Sequence, residues 1–356
     1  MMTYIISIIV LLGVLIFFHE LGHFIVARFF GVGVEKFSLG FGPRIIGKKV
    51  GITDYRVSAI PLGGYVKMVG EEPDAEIEPD QIHLSFTHKP VFQRLLIVAA
   101  GPFFNVLLAV LILFIVLLHS GAYFMEPVVG EVQADSPAEI AGLRPGDRIL
   151  AINGSGVESW EEMAQMIGGS QGAEIDLEIS REGQPLSIHL SPRLQSDQNL
   201  FGEDTQRYMI GIISSRQISA KDLSILQASV LSVQKTYQIA ELTFVSVVKM
   251  VQGKLSVKTL GGPIMIAQLA GQQAKEGLIE FLSLMAVISV NLAILNILPI
   301  PVLDGGHILF FTIELLIRRP VSIRVREVAQ QAGLFVLLML MILVFYNDIT
   351  RFFTTQ

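Results

Sequence analysis

Four stretches of this chain are long and apolar enough to cross a lipid bilayer as helices, and they constrain its fold more than any other feature. A bilayer core about 30 Å thick requires roughly 20 apolar residues in a helix. Hydrophobic residues make up 51% of the 356 residues and charged residues only 16%, below the roughly 25% of a typical soluble domain. The sequence therefore predicts a polytopic α-helical membrane protein with four transmembrane helices.

The apolar stretches divide the rest of the chain into segments of different character. A further stretch, residues 223–251, is interrupted by Lys235, Glu241 and Lys249, which favours an amphipathic helix at the membrane surface over a fifth span. The predicted order is a first transmembrane helix at 1–30, a β-loop at 31–92, a second transmembrane helix at 93–120, a soluble α+β block at 123–214, an amphipathic surface segment at 215–280, a third transmembrane helix at 281–304, a loop at 305–330 and a fourth transmembrane helix at 331–353.

The basic residues predict the orientation of the four helices. Residues 31–94 hold eight Lys and Arg, and the short segment 304–332 holds four. With four spans both segments lie on one side of the membrane, which the positive-inside rule makes the cytoplasmic side. Residues 120–280 and both termini are then expected on the opposite side, which is periplasmic if the membrane is a bacterial inner membrane.

Composition excludes several classes of function. A net charge of −6 gives no general reason to bind nucleic acid. The chain has no cysteine, so disulfides, thiolate metal sites and a cysteine nucleophile are excluded. Any metal site must therefore be built from histidine and carboxylate side chains.

The first apolar stretch contains an H-E-x-x-H motif, formed by His19, Glu20 and His23. Two histidines four residues apart project from one face of a helix and can share one Zn²⁺. The glutamate between them is placed to take a proton from an attacking water. The alternative is a polar cluster that caps the span. His19 lies about 22 Å along the helix from Tyr4 at 1.5 Å per residue, still within the hydrocarbon, where such residues usually mark function.

A catalytic zinc usually takes three protein ligands, and the third apolar stretch offers a candidate. Asp304 follows two prolines, Pro299 and Pro301, and lies about 33 Å along the helix, near the same side of the membrane as His19. Prolines remove backbone donors and should unwind the helix there, which is tolerated where the chain lines a protein cavity. Asp304 is the predicted third ligand; a helix terminator that faces water, or His307 as the ligand instead, are the alternatives.

These motifs resemble those of the site-2 protease family of intramembrane zinc metalloproteases, and most closely its bacterial branch that regulates the sigma-E response. The similarity covers nearly the whole chain. It implies Zn²⁺ held by His19, His23 and Asp304, and Glu20 as the catalytic base. The matching stretches include residues 291–296, 299–301 and 261–264, and two positions there, Asn291 and Asn296, resemble asparagines that help to hold the substrate.

The resemblance also assigns the two segments outside the spans. The loop at 31–92 corresponds to a β-hairpin that dips into the membrane. Its strand edge, including Tyr65 and Val66, could hold a substrate extended by β-addition; an ordinary cytoplasmic hairpin is the alternative. Residues 136–150 resemble the core of bacterial PDZ domains, which either capture a peptide or filter substrates by size. The branch usually carries two PDZ domains in tandem, whereas one is found here, and the chain is either a natural short form or a deletion form.

The predicted function is therefore cleavage of a single-pass membrane protein within its membrane span. The expected partners are that substrate, which could be an anti-sigma factor or a signal-peptide remnant, and the lipid bilayer, but no nucleic acid. A proton- or metal-coupled transporter with a PDZ domain is the main alternative, and it predicts internal repeats across the spans. A PDZ membrane adaptor without chemistry is the other, and it does not require Glu20 between the two histidines.

Overall fold

The computed structural model describes residues 2–71, 77–199 and 201–354, with no side-chain description for residues 62 and 352–354. The chain forms two compact units, one made of residues 1–116 and 227–356 and the other of residues 117–226. Each unit has a hydrophobic core of its own.

The first unit consists mainly of long apolar helices. Four of them are long and apolar enough to cross a membrane. The helices of this unit are α1 (Met2–Phe29), α2 (Val91–Ser120, which continues past residue 116), α5 (Ile225–Val251), α6 (Pro263–Glu276), α7 (Leu278–Ile297), α8 (Asp304–Ile317) and α9 (Ile323–Thr354); the four that qualify as spans are α1, α2, α7 and residues 323–351 of α9.

Two strands of the first unit, β1 (Val34–Val50) and β2 (Thr53–Met68), fold into more than a simple hairpin. Each strand bends, so that its two halves pair separately. Residues 53–58 pair on one side with 44–50 and on the other side with 36–39, and residues 34–39 pair in turn with 64–68. The two strands therefore form four sheet segments, in which 64–68 is at one edge.

The third apolar helix ends earlier than the sequence predicted. Helix α7 stops at Ile297 rather than at Asp304, and a new helix, α8, begins at Asp304 and continues into the segment that was expected to be a loop. The physical reason lies in Pro299 and Pro301, which cannot donate to a helix and disfavour helical geometry in the residue before each of them. Two backbone hydrogen bonds close the turn between the helices. The Ile300 amide donates to the Leu298 carbonyl, and the Leu303 amide donates to the Ile300 carbonyl.

The segment expected to lie on the membrane surface is partly internal. The predicted helix at 223–251 corresponds to α5, whereas α6 packs against α1: Ala270 and Gly271 are buried, and Gly271 lies directly against the Tyr4 ring of α1. A carboxylate of α9 fixes the start of α6, since Asp348 accepts hydrogen bonds from the amides of Gly262 at 2.9 Å and Ile264 at 2.9 Å.

The second unit is a small α+β fold around its own core. A helix covers one face of an inner strand pair. Asp147 is only 1% exposed, and the Arg181 guanidinium donates two hydrogen bonds to its carboxylate. Its elements are β3 (Ala122–Met125), β4 (Val129–Val132), α3 (Pro137–Ile140), β5 (Arg148–Ile152), β6 (Ser155–Gly156), α4 (Trp160–Gly169), β7 (Ile175–Arg181), β8 (Gln184–Leu190), β9 (Arg193–Gln198), β10 (Asp204–Met209), β11 (Ile212–Ser214) and β12 (Ile218–Lys221).

The strands of the second unit form four antiparallel groupings. The largest is a four-stranded sheet in the order β6-β5-β7-β8, and the others are the pairs β9 with β10, β4 with β11 and β3 with β12. The alternating burial of Ile175, Leu177 and Ile179 along β7 places these three side chains in the core. This is the period-2 pattern of a strand with one buried face.

Candidate metal centre

Two histidines of α1 and one aspartate of α8 converge on a single point. The Nε2 atoms of His19 and His23 are 3.3 Å apart. Asp304 Oδ2 lies 3.1 Å from Nε2 of His19 and 3.6 Å from Nε2 of His23. Among the described residues this is the group of histidine and carboxylate side chains whose atoms could hold a metal ion.

The spacing of these three atoms fits a tetrahedral metal ion. Zinc binds nitrogen and oxygen at about 2.0–2.1 Å, so two ligands at the tetrahedral angle lie about 3.4 Å apart. The three separations in the structure, 3.1, 3.3 and 3.6 Å, bracket that value. Asp304 Oδ2 is also buried without a hydrogen bond of ordinary geometry. The three atoms therefore face a common point, as metal ligands do.

Close contact between α1 and α2 holds the two histidines in place. Gly101 of α2 lies against both rings, and a Cβ atom there would collide with Nε2 of His23 and lie 2.8 Å from Cε1 of His19. The second ring nitrogen of His23, Nδ1, lies 2.9 Å from the backbone oxygen of Ile97. Metal-binding histidines commonly donate this other N–H to a carbonyl, which fixes the ring.

The turn after α7 and the fixed end of α8 place Asp304. Asp304 is the first residue of α8, and Gly305 follows it because the start of that helix packs onto the carbonyls of Ile297 and Leu298, where a Cβ would collide. Further along α8, the buried Glu314 pairs with Arg94 at 2.7 Å and with Arg326 at 3.3 Å. This network ties α8 to the starts of α2 and α9.

Glu20 lies at the edge of the sheet. Gly64 of β2 packs against Cγ of Glu20, and the backbone of Val66 lies near the Glu20 carboxylate. The sheet segment 64–68, which includes Tyr65 and Val66, pairs with 34–39 along one side. A glutamate between two candidate ligands and an edge strand therefore share one region.

The remaining predicted residues lie elsewhere in the unit. Asn291 of α7 accepts a hydrogen bond from Thr243 of α5, with 2.7 Å between Oγ1 and Oδ1. Asn296 is half-buried in the last turn of α7. His307 is one turn beyond Asp304, with its ring centroid 6.4 Å from that of Phe311, and it is not in the converging group.

One residue near the histidines was missed from the sequence. Asn105 of α2 is fully buried, and its Nδ2 lies 3.4 Å from Nδ1 of His19. Nothing in the sequence alone distinguished this asparagine, because it lies in a separate apolar helix, far along the chain from the histidines.

Comparison with known proteins gives this arrangement a family. Residues 7–340 match the family described as Peptidase family M50. The chain belongs to peptidase family M50. Three relatives, each named "Putative zinc metalloprotease", come from Mesorhizobium japonicum (37% identity, 95% of this chain and 96% of the relative), Campylobacter jejuni (36%, 96% and 92%) and Clostridium perfringens (35%, 97% and 98%).

The M50 assignment makes the chain a metalloprotease and confirms the resemblance seen in the sequence. It does not favour the transporter alternative, and an adaptor without chemistry does not belong to a peptidase family. The family and the apolar helices agree on a membrane protein.

The second unit of this M50 protein has a cavity of its own. Its volume is about 900 Å³, and helix α4, strands β9 and β10 and residues 210–212 line it. Strand β11, which starts at Ile212, pairs with β4 on one side. An exposed sheet edge is a common site for an added peptide strand.

Proposed function

We propose that this M50 protein is a zinc endopeptidase that cuts single-pass membrane proteins within their membrane spans. The observation that carries the proposal is the convergence of His19, His23 and Asp304 at tetrahedral spacing in the helical unit that contains all four membrane-span candidates. The names of the relatives support zinc as the metal.

In this proposal His19, His23 and Asp304 hold the metal, and Glu20 acts as the base. A zinc ion held by these three ligands would supply a Lewis acid for the scissile carbonyl and for the attacking water. The Glu20 carboxylate takes the proton of the attacking water and passes it to the leaving amine. The contact of Gly64 with Cγ of Glu20 places this side chain at the sheet edge, and Glu20 lies between the two histidines in the sequence of α1.

The sheet edge at 64–68 suits an extended substrate. A transmembrane helix hides its carbonyls in internal hydrogen bonds, and these must open before a carbonyl can be attacked. The backbone of Tyr65 and Val66 lies in a sheet segment whose partner on one side is 34–39, so its other side can add a strand of substrate. Gly64 beside Glu20 would then bring that strand close to the base.

Asn291 and Asn296 are proposed to hold the substrate from the side of α7. The amide of Asn291 is engaged by Thr243 of α5. An asparagine amide has two N–H donors and an oxygen with two lone pairs, so Asn291 can bond to the substrate backbone while Thr243 donates to its Oδ1.

Contacts within the helical unit support the proposed four-span topology. The Glu314 network joins the start of α2, the end of α8 and the start of α9. At the other end of the helices, α6 contacts Tyr4 near the start of α1 and Asp348 near the end of α9. We infer that residues 31–94 and 304–332 face the cytoplasm, that both termini are periplasmic, and that the membrane is the bacterial inner membrane.

The second unit is proposed to be a periplasmic PDZ domain. Residues 136–150 carry its motif, and the cavity lined by α4, β9 and β10 is the proposed place for a peptide. The alternative role of the unit is steric exclusion of substrates with large ectodomains. We propose an anti-sigma factor or a signal-peptide remnant as the substrate, on the resemblance to the branch that regulates the sigma-E response. The anti-sigma factor and the signal-peptide remnant would each present a single membrane-spanning segment to the enzyme.

Cleavage of a reporter tests the proposal. The full-length protein is mixed in detergent with a single-pass reporter segment, and the products are mapped by mass spectrometry. We expect a cut within the span. A general base contributes about 10²–10⁴-fold, so Glu20→Gln should cut at least about a hundredfold more slowly while keeping its zinc. Glu327→Gln, at an exposed position of α9 outside the site, should cut normally. A cut outside the span, or a normal rate for Glu20→Gln, would contradict the proposal.

A further inference from the structure

The two histidines differ in what fixes their second ring nitrogen. His23 Nδ1 faces a backbone carbonyl, that of Ile97, at 2.9 Å. His19 Nδ1 instead faces a side chain, the amide of Asn105, at 3.4 Å. Asn105 is 0% exposed, in the middle of α2. A buried polar side chain in an apolar helix is costly unless it has a partner, so its position against His19 requires an explanation.

The protonation of the imidazole ring determines which hydrogen-bond partner Nδ1 of His19 requires. Its Nε2 is the atom that faces Asp304, at 3.1 Å. When a metal occupies Nε2, the ring proton must be on Nδ1, and that N–H then requires an acceptor. The amide oxygen of Asn105 can accept it, just as the Ile97 carbonyl can accept from His23.

The amide of Asn105 has an acceptor to spare. Its Oδ1 is buried and has no hydrogen-bond partner among the described residues. The oxygen and nitrogen of an asparagine amide occupy nearly equivalent positions, and a half-turn of the amide exchanges them. After that rotation Oδ1 faces Nδ1 of His19 and accepts its proton.

The amide is not needed to hold α2 in place. Ser289 of α7, also 0% exposed, donates from Oγ to the backbone oxygen of Asn105 at 2.7 Å. This bond uses the main chain and would survive any side chain at position 105. The helix contact and the histidine contact of Asn105 are therefore separate functions of its backbone and its amide.

We propose that Asn105 is a positioning residue for the metal centre: its amide oxygen keeps the His19 proton on Nδ1 and turns Nε2 toward the metal. The inference rests on the proposed function, since it assumes that His19 is a ligand. Loss of a partner of this kind typically lowers metal affinity 10–100-fold.

Zinc affinity of the purified full-length protein tests this inference, with zinc alone as the probe in competition with a chromophoric chelator. Asn105→Leu keeps the approximate volume and removes the acceptor, and it should bind zinc about 10–100-fold more weakly. Asn105→Asp keeps an acceptor oxygen at the same place and should stay within about threefold of the wild type. Ser289→Ala, which removes the bond to the backbone of the same residue, should leave zinc affinity unchanged.

The outcomes separate this inference from a purely structural role and from failure of the proposed function. Wild-type affinity in Asn105→Leu would overturn the inference. So would an Asn105→Asp variant as weak as Asn105→Leu, a comparison that stands even if the leucine variant does not fold. A structural role predicts lower melting temperatures of the metal-free variants with unchanged affinity. Absence of zinc binding in the wild type would instead overturn the proposed function itself.

Discussion

At the scale of single residues, the proposed metal centre includes a close approach that only glycine allows. Gly101 lies against the rings of His19 and His23, at the position where α1 and α2 meet. A methyl group there would have to displace either ring or separate the helices. Inserting such a group into a packed site typically costs 1–3 kcal/mol.

Gly101→Ala is therefore expected to weaken zinc binding by about tenfold or more, because the added group displaces the ligands from tetrahedral spacing. The measurement is zinc affinity by chelator competition. Gly13→Ala is the matched control, because Gly13 is a helical glycine of α1 with open space around its Cβ position. Equal affinities of the two variants would show that the histidines do not depend on this contact.

Single residues around the proposed metal centre also differ in how far their positions could be predicted from the sequence. His19, Glu20 and His23 are neighbours on one helix, so their spacing alone brings them together. Asp304 could be placed because the depth of a helix in a membrane follows from counting residues. Asn105 could not, because its partner is in another helix and depends on the rotation of α2, which an apolar sequence of uniform character does not reveal.

At the scale of elements, α6 illustrates how one buried carboxylate can fix a helix. Asp348 of α9 is 4% exposed and accepts from the amides of Gly262, Ile264 and Met265. The first amides of a helix have no partner within it, and an acidic group at that end also complements the helix dipole.

Removal of this carboxylate should loosen α6 and not the whole unit. Asp348→Ala is expected to cost about 1–2 kcal/mol, as the loss of an N-terminal cap does. Amide hydrogen exchange at residues 262–266 should accelerate about 5- to 30-fold, which corresponds to that free energy. Asp348→Asn keeps one acceptor oxygen, and its exchange rates should lie between those of the wild type and of Asp348→Ala. Unchanged exchange in the alanine variant would mean that α6 is held by its apolar contacts alone.

The elements that the sequence described less well have physical reasons for the difference. The prolines at 299 and 301 predicted an unwound segment, but the new helix that begins at Asp304 depends on the turn that packs onto it. The bent strands β1 and β2 pair twice along their length, and residue alternation does not specify which segments become neighbours.

At the scale of the whole molecule, the two units are expected to act separately in the chemistry. The three candidate metal ligands, His19, His23 and Asp304, lie in the helical unit, which is formed by residues 1–116 and 227–356. The second unit has an independent core. Cleavage as such should therefore not require residues 117–226.

Deletion of residues 124–214 should leave cleavage of a reporter with a short ectodomain within about threefold of the wild type, since a surface unit with its own core contributes little to the fold of the other. Reporters with large ectodomains should be cut faster than by the full chain if the unit acts as a filter. The measurement is the rate for each reporter. Complete loss of cleavage by a well-folded variant would favour obligatory peptide docking instead.

The proposed mechanism also predicts which substrates are cut quickly. Glycine costs a helix about 1 kcal/mol relative to alanine and proline about 3, so these residues a few positions from the cut should favour local unwinding. Replacing them by leucine should slow cleavage severalfold, without a comparable loss of binding. A reporter series at equal membrane insertion measures this. Rates that do not follow helix propensity would contradict unwinding and leave the metal centre unaffected.

The proposed mechanism requires that ligands from α1 and α8 bind the same zinc ion. Zinc content of the purified Asp304→Asn protein tests it most directly, with Glu20→Gln as the control that retains all three ligands. We predict about one zinc per chain in the wild type and in Glu20→Gln, and a large loss in Asp304→Asn, because an amide is a poor zinc ligand. Full zinc occupancy and normal cleavage in Asp304→Asn would contradict the claim and point to His307 as the third ligand.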